Sequence, residues 1–302
     1  MYLRREALDA GYDDRAIYSG LASGKLARVR HGAYMSGEKW RASNEEQQHL
    51  LRAHAAGLVH GQPMALSHVS AAIAHGVDVW GVDLSRVHLI RPVDTVGRKH
   101  RDIVYHRGVV AGSAKISGTT VRPAAEAVYG AICLASVEAG VVILDSAYAL
   151  GICTPDDIRD EYEKHRRWPG SARLNITLRI AQPGAQSVGE SRMRFLFWRH
   201  GLPRPQLQYA VSDGSGVIGT ADFAWPEYGV LGEFDGRIKY EKLLRPGESS
   251  ADVVVREKIR EDQMREATGY GFIRYIWSDL SRQEQTAERT RRALAVRPRT
   301  AP

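Results

Sequence analysis

At 302 residues the chain is longer than one ordinary hydrophobic core supports, so its length alone predicts two or three domains. Hydrophobic residues at 43% and charged residues at 25% exclude a disordered or fibrous chain, and a net charge of +7 favours a polyanionic partner such as nucleic acid. Two cysteines, Cys133 and Cys153, exclude a disulfide framework and a paired-cysteine metal site, and they fit a reducing compartment.

The N-terminus, "MYLRREALDAGY", is charged and amphipathic and carries no apolar signal core. Residues 1–40 predict a small helical unit ending in two strands. "REALDAGYDDRAIYSGLASGKL" places Leu8, Ile17, Leu21 and Leu26 as its apolar set, with Gly11 between two helical pieces. Asp13 or Asp14 caps the second piece, where the helix dipole favours an acid. "ARVRHGAYMSG" alternates and turns at Gly32. Helix, glycine turn, helix and basic hairpin is the order of a winged helix-turn-helix.

Residues 41–183 predict a mixed α/β middle domain. A helix, "SNEEQQHLLRAHAAGL", precedes "MALSHVSAAIAHGV" and two strand-like runs, "RVHLIRP" and "DIVYHRGVV". Two buried helices follow, in "VRPAAEAVYGAICLA" and "SVEAGVVILDSAYALG". Glu126, Glu138 and Asp145 inside them argue against a membrane span, so a soluble, cytoplasmic protein with no membrane partner is expected. Thr154 before Pro155 marks a helix start. "RRWPGSAR" turns into a further helix, "LNITLRIA", and "QPGAQS" marks the last boundary.

Residues 184–285 predict helix, strand, strand, strand, helix, strand. Ser187 with Glu190 three residues on forms a capping-box pattern before "SRMRFLFWRHGL". The strands lie in "PQLQYAVSD", "VIGTADFAWP" and "YGVLGEFDG"; a long amphipathic helix spans "SADVVVREKIREDQMREATGY"; and "GFIRYIWSDL" closes the unit. Residues 286–302 read as a frayed basic tail. Trp80, Trp198, Trp225 and Trp277 are expected to pack the cores.

Asp222 sits inside an apolar strand, Glu233 inside the next, and Glu190 in the preceding helix. A buried carboxylate costs several kcal/mol unless it finds a cation or a metal. Three acids from neighbouring elements have the oxygen chemistry of a hard divalent ion, which can activate water and offset the charge of a phosphodiester. Taken singly, Glu190 is a helix cap and Asp222 a partner for an arginine. His68, with Ser67, Ser70 and His75, suggests a catalytic serine and histidine, but no third acidic group is identifiable and a structural histidine is expected. His100 and His106 have no metal-ligand spacing.

The stretch "SVGESRMRFLFWRHGLPRPQLQYAV…GTADFAWPEYGVLGEFDGRIKY…REKIREDQMREATGYGFIRYIWSDL" resembles the very-short-patch-repair-like branch of the PD-(D/E)XK nucleases over the last third of the chain. That resemblance implies a restriction-endonuclease-like α/β/α fold with a mixed sheet, and DNA cleavage with Mg²⁺, or Mn²⁺ in its place. It makes Glu190, Asp222 and Glu233 metal ligands, with Asp222 and Glu233 at the catalytic centre. Asp235 stands where the motif has lysine. Lys239 or Lys258 would then supply the catalytic positive charge, or Asp235 would be a further metal ligand. Gln206 resembles a polar group beside such sites.

"LDAGYDDRAIYSGLASGKLARVRHGAYM" resembles the winged-helix start of AbiEi-type antitoxins, a family that includes DNA-binding autorepressors, and 41–183 continues that resemblance more loosely. It implies DNA as a partner and raises a partner toxin. The helix from about Asp14 to Ser23 would enter a major groove, Arg28, Arg30 and His31 on the wing would meet phosphates, and Arg15 and Lys25 would flank them. The sequence thus predicts an α+β multidomain protein that is either a Mg²⁺-dependent DNA endonuclease or a non-catalytic, antitoxin-like repressor.

Overall fold

A computed structural model describes residues 1–60, 64–91, 98–99, 102–107, 112–236 and 250–295, without the side chains of 60, 98–99 and 250–254. The chain is mixed α/β, with twelve α-helices and three sheets among the described residues. It divides into two compact units, Met1–Ile176 and Thr177–Pro302.

The first unit opens with β1 (Tyr2–Leu3), α1 (Arg4–Asp9), α2 (Asp14–Ala22), β2 (Leu26–Arg30) and β3 (Ala33–Ser36). Asp13 caps α2 by accepting the Ala16 N–H at 2.7 Å. Gly32 takes φ +80°, which an L side chain rarely adopts, and so allows the tight β2–β3 turn. The three strands pair in the order β1-β3-β2, all antiparallel. Next come α3 (Gly37–Ala42) and α4 (Glu45–His60). Ala55 and Leu51 of α4 pack on Leu3, Val29, Ala33 and Met35. The expected boundary near residue 40 therefore crosses a shared core rather than a linker.

The rest of this unit is a six-stranded mixed sheet, ordered β6-β7-β5-β4-β9-β8. Its strands are β4 (Ala65–Leu66), β5 (Val87–Ile90), β6 (Arg98–Lys99), β7 (Ile103–His106), β8 (Ala114–Ile116) and β9 (Thr119–Val121). The short α5 (His68–Ala74) follows β4, and α6 (Ala124–Leu134), α7 (Val137–Ala149) and α8 (Pro155–His165) follow the sheet. Thr154 caps α8 in a reciprocal box with Asp157, as its Thr-Pro start predicts. The division between units falls within α9 (Ala172–Ile180), a few residues before the expected boundary at 183.

The second unit holds α10 (Val188–Arg199), β10 (Gln206–Asp213), β11 (Gly216–Trp225), β12 (Val230–Asp235), α11 (Ser250–Thr268), β13 (Gly271–Ile276) and α12 (Gln283–Ala295). Its sheet is ordered β10-β11-β12-β13; the first three strands run antiparallel and β13 is parallel to β12. Period-two alternation gives the sheet two apolar faces. Phe223, Trp225, Val230, Phe234, Ile273 and Tyr275 face α10 and α12, while Ala224, Leu231 and Met264 pack on the α11 side. Phe197 anchors the first face through edge contacts to Phe223, Trp225 and Tyr275 at 5.2–5.5 Å. Each such pair contributes roughly 0.5–1.5 kcal/mol beyond its buried area.

Two expectations need correction. Residues 286–295 are not a frayed tail: they belong to α12, whose Ala287, Thr290 and Leu294 are buried, with Ala287 and Leu294 in the core around Tyr275. The basic residues of this stretch misled the reading because they occupy only its outer face. Trp225 is core, but Trp198 and Trp277 are 46% and 41% exposed.

Candidate functional site

The acids of the second unit are placed by three local features. The β11–β12 ladder ends at the pair Phe223–Gly232. Asp222 and Glu233 are the next residues on each strand, where the ladder stops. There the carboxylate of Asp222 replaces a backbone acceptor: its Oδ2 takes the Phe234 N–H at 2.8 Å. Glu233 lies on the α11 face, where its Oε1 accepts from Nη2 of Arg260 at 2.6 Å. Glu190 belongs to the start of α10, which packs on β12. A Cβ on Gly189 would stand 2.0 Å from the Phe234 ring, so glycine there lets the start of α10 lie directly on β12.

All three acids are nearly inaccessible, Glu190 at 1%, Asp222 at 7% and Glu233 at 8%. Glu190 is engaged by its own helix start. Ser187 Oγ donates to its Oε1 at 2.7 Å and Gln186 N–H to its Oε2 at 2.9 Å, and Gln208 Nε2 adds a bond at 3.3 Å. Asp235 is paired with Nη1 of Arg274 at 3.2 Å. Arg274 also binds Glu261 at 2.5 Å and faces Glu233 at 3.9 Å. Burial opposes its charge, yet these acids together hold its pKa above the ordinary value. Among the described residues no three carboxylate, imidazole or thiolate groups stand close enough to share a metal ion. Gly189, next to Glu190, lies against the Phe234 ring, and the Glu190 carboxylate meets Gln208 of β10, whereas Glu233 meets Arg260 of α11.

Among the described residues Arg260, at 2.6 Å, and Arg274, at 3.9 Å, are cations beside Glu233. Lys258 is exposed on α11, and Lys239 lies outside the described residues. Gln206, singled out in the sequence, is exposed, whereas Gln208 two residues on reaches Glu190. Gln208 has φ +48°. It was hidden because strand periodicity assigns a face but not a local irregularity. No sequence pattern marks Arg260 as the partner of Glu233, because the pairing depends on how α11 lies across the sheet.

On the first unit, Arg15, Lys25, Arg28 and His31 are exposed. Arg30 is not available in the same way, because its side chain is 12% exposed and pairs with Asp102 at 3.2 Å. Tyr18, three residues after Arg15 on α2, is 74% exposed.

The Ser and His pattern resolves into a buried cluster. Ser70 Oγ lies 2.7 Å from Nε2 of His49, whose Nδ1 is 3.0 Å from the Leu84 carbonyl. Both side chains are fully buried, so the pair has no path to a substrate. His68 stacks on His106 at 3.5 Å, and His88 Nδ1 lies 2.8 Å from His106 Nε2. His75 Nε2 bonds the Arg122 carbonyl at 2.8 Å. Burial, reinforced by the neighbouring imidazoles, pushes His68 well down and His88 down to about 3. His100 lies outside the described residues.

No family model matches the chain. It is similar to an uncharacterized protein of Mycobacterium tuberculosis, designated Rv2248 in strain H37Rv and MT2308 in strain CDC 1551. Each is 26% identical over 264 residues, covering 86% of this chain and 89% of the relative. No helix among the described residues is long and apolar enough to cross a membrane.

Proposed function

We propose that the chain is a DNA-binding protein whose second unit is a Mg²⁺-dependent deoxyribonuclease, with a winged helix-turn-helix at its N-terminus and a restriction-endonuclease-like C-terminal domain. The observation that carries this reading is the placement of Asp222 and Glu233 on adjacent strands where the β11–β12 ladder ends. Their oxygen-only chemistry fits a hard divalent cation, and these two residues would hold it. Glu190 and Asp235 fit less well, one bound up in its helix cap and the other in an arginine pair. A bound Mg²⁺ would activate water and offset phosphodiester charge. The chain's own contribution is to orient Asp222 through the Phe234 N–H and to hold Glu233 against Arg260. The exposed Arg15, Lys25, Arg28 and His31 around α2 and the β2–β3 turn would meet DNA phosphates.

One observation favours the second reading, a non-catalytic, antitoxin-like repressor with or without a partner toxin. The acids already have cationic or N–H partners within the chain, so the fold does not require a metal to neutralise them. Incubating supercoiled DNA with the protein and Mg²⁺ or Mn²⁺ separates the two. Nicking by the wild type and a loss of at least 100-fold in Asp222→Asn is expected of the nuclease. Asn keeps an acceptor for the Phe234 N–H, so this variant tests chemistry rather than folding. Equal nicking by both proteins, or none by either, removes the enzyme reading.

A further inference from the structure

The second unit has another built feature, running from the turn after β13 into α12. Asp279 is 5% exposed and works as a hub. Its Oδ2 accepts the Ile276 N–H at 2.9 Å and Nη2 of Arg289 at 2.9 Å, and Oδ1 lies 4.0 Å from Nη2 of Arg282. Arg289 also donates to the Arg274 carbonyl of β13 at 3.2 Å, and its guanidinium stands 5.5 Å over the Tyr275 ring. Arg282 donates from Nη2 to Ser278 Oγ at 2.9 Å. Arg292, three residues after Arg289, makes no hydrogen bond or ion pair among the described residues.

These three arginines line an open cleft of about 360 Å³, with Thr286 and Glu288 also in its wall. Arg282 and Arg289 remain 55% and 44% exposed although one edge of each is fixed. Asp279 directs its charge to them, so their remaining N–H groups and the whole of Arg292 face the cleft as cationic forks. Planar N–H forks held in place match phosphate oxygens, and fixing them beforehand reduces the ordering cost of binding. Support of the fold explains Arg289, which caps a strand carbonyl, but it gives Arg292 no role.

We propose that this cleft grips the phosphate backbone of nucleic acid, with Arg282, Arg289 and Arg292 contacting phosphodiester oxygens. The inference rests on the DNA-binding reading above and adds a second phosphate-binding surface, independent of the acids. Its test is fluorescence anisotropy of a labelled DNA duplex with the full chain in EDTA, between 50 and 300 mM salt. The variant is Arg282→Gln with Arg292→Gln, which spares Arg289 and the strand edge; an unchanged circular-dichroism melt verifies its fold. The slope of log affinity against log salt should fall in magnitude by about 2, near 0.9 for each lost phosphate contact. Affinity at low salt should fall about tenfold or more. A wing variant, Arg15→Ala with Arg28→Ala, serves as comparison. If it weakens binding while the cleft variant keeps the wild-type slope, the clamp is overturned and the DNA-binding reading stands. If the wild type binds no duplex at all, both are overturned.

Discussion

Asp222 illustrates how one residue carries structure and candidate chemistry together. Its carboxylate is the acceptor for a buried backbone N–H at the point where two strands stop pairing. Removing the acceptor leaves the Phe234 N–H without it, which costs about 1–3 kcal/mol. Asp222→Ala should therefore unfold at lower urea than Asp222→Asn by that amount, read from the transition of the second unit. Equal midpoints for the two variants would show that the bond does not support the fold. The sequence marks Asp222 and Glu233 as anomalous because charge interrupts two apolar strands. It does not mark Arg260 as their neighbour, since a salt bridge over 27 residues depends on how α11 lies across the sheet. Arg30 shows the converse: its alternating, basic hairpin suggests exposure, and only the packed structure brings Asp102 to it.

Elements meet closely where side chains are missing. Gly189 lets α10 rest on the Phe234 ring, and an added methyl at 2.0 Å from a ring carbon must push the helix away. Gly189→Ala should destabilise the second unit by about 1–3 kcal/mol, as overpacking does. Gly57 in α4 is the control, because a Cβ there meets nothing within 4 Å. Gly57→Ala should stabilise by about 0.4–1 kcal/mol through helix propensity and unfolded-state entropy. Thermal melts of both variants measure this, and a neutral Gly189→Ala would show that α10 does not sit so tightly. Helices α2, α8 and α10 were legible at their starts because Asp13, Thr154 and Ser187 act on N–H groups three residues away. The short strands β6, β8 and β9 were not, since two or three residues give no periodicity. Helix α12 was missed because its charged face dominates the composition, although its buried positions recur at helical spacing.

At the scale of the molecule, the two units should respond differently to acid. The stacked imidazoles all belong to the first unit. His68 and His88 have folded pKa values depressed below the unfolded value near 6.5, mainly by burial. Their neutral forms are thus the ones that fit the fold. The stability they allow is complete above about pH 6.5 and is lost as pH falls below it, for His88 down to about 3. Each imidazole contributes up to about 1.4 kcal/mol per pH unit across that window. Calorimetry at pH 7, 6 and 5 should show the first unit's transition moving down steeply, and His88→Phe should flatten that movement. A transition that does not move between pH 7 and 5 would refute the assignment.

Composition and hydrophobic period by themselves determined a mixed α/β chain of more than one unit, most of its long elements, and the two strand acids that depart from an apolar pattern. Those are local properties, fixed by backbone geometry and by the cost of burying charge. Tertiary structure alone decided that Arg260 and Arg274 meet Glu233, that Gly189 of α10 rests on the Phe234 ring, that Arg30 is paired, and that the last arginines line a cleft. Such facts depend on distances between residues far apart in the chain, and a periodic pattern carries no record of those distances.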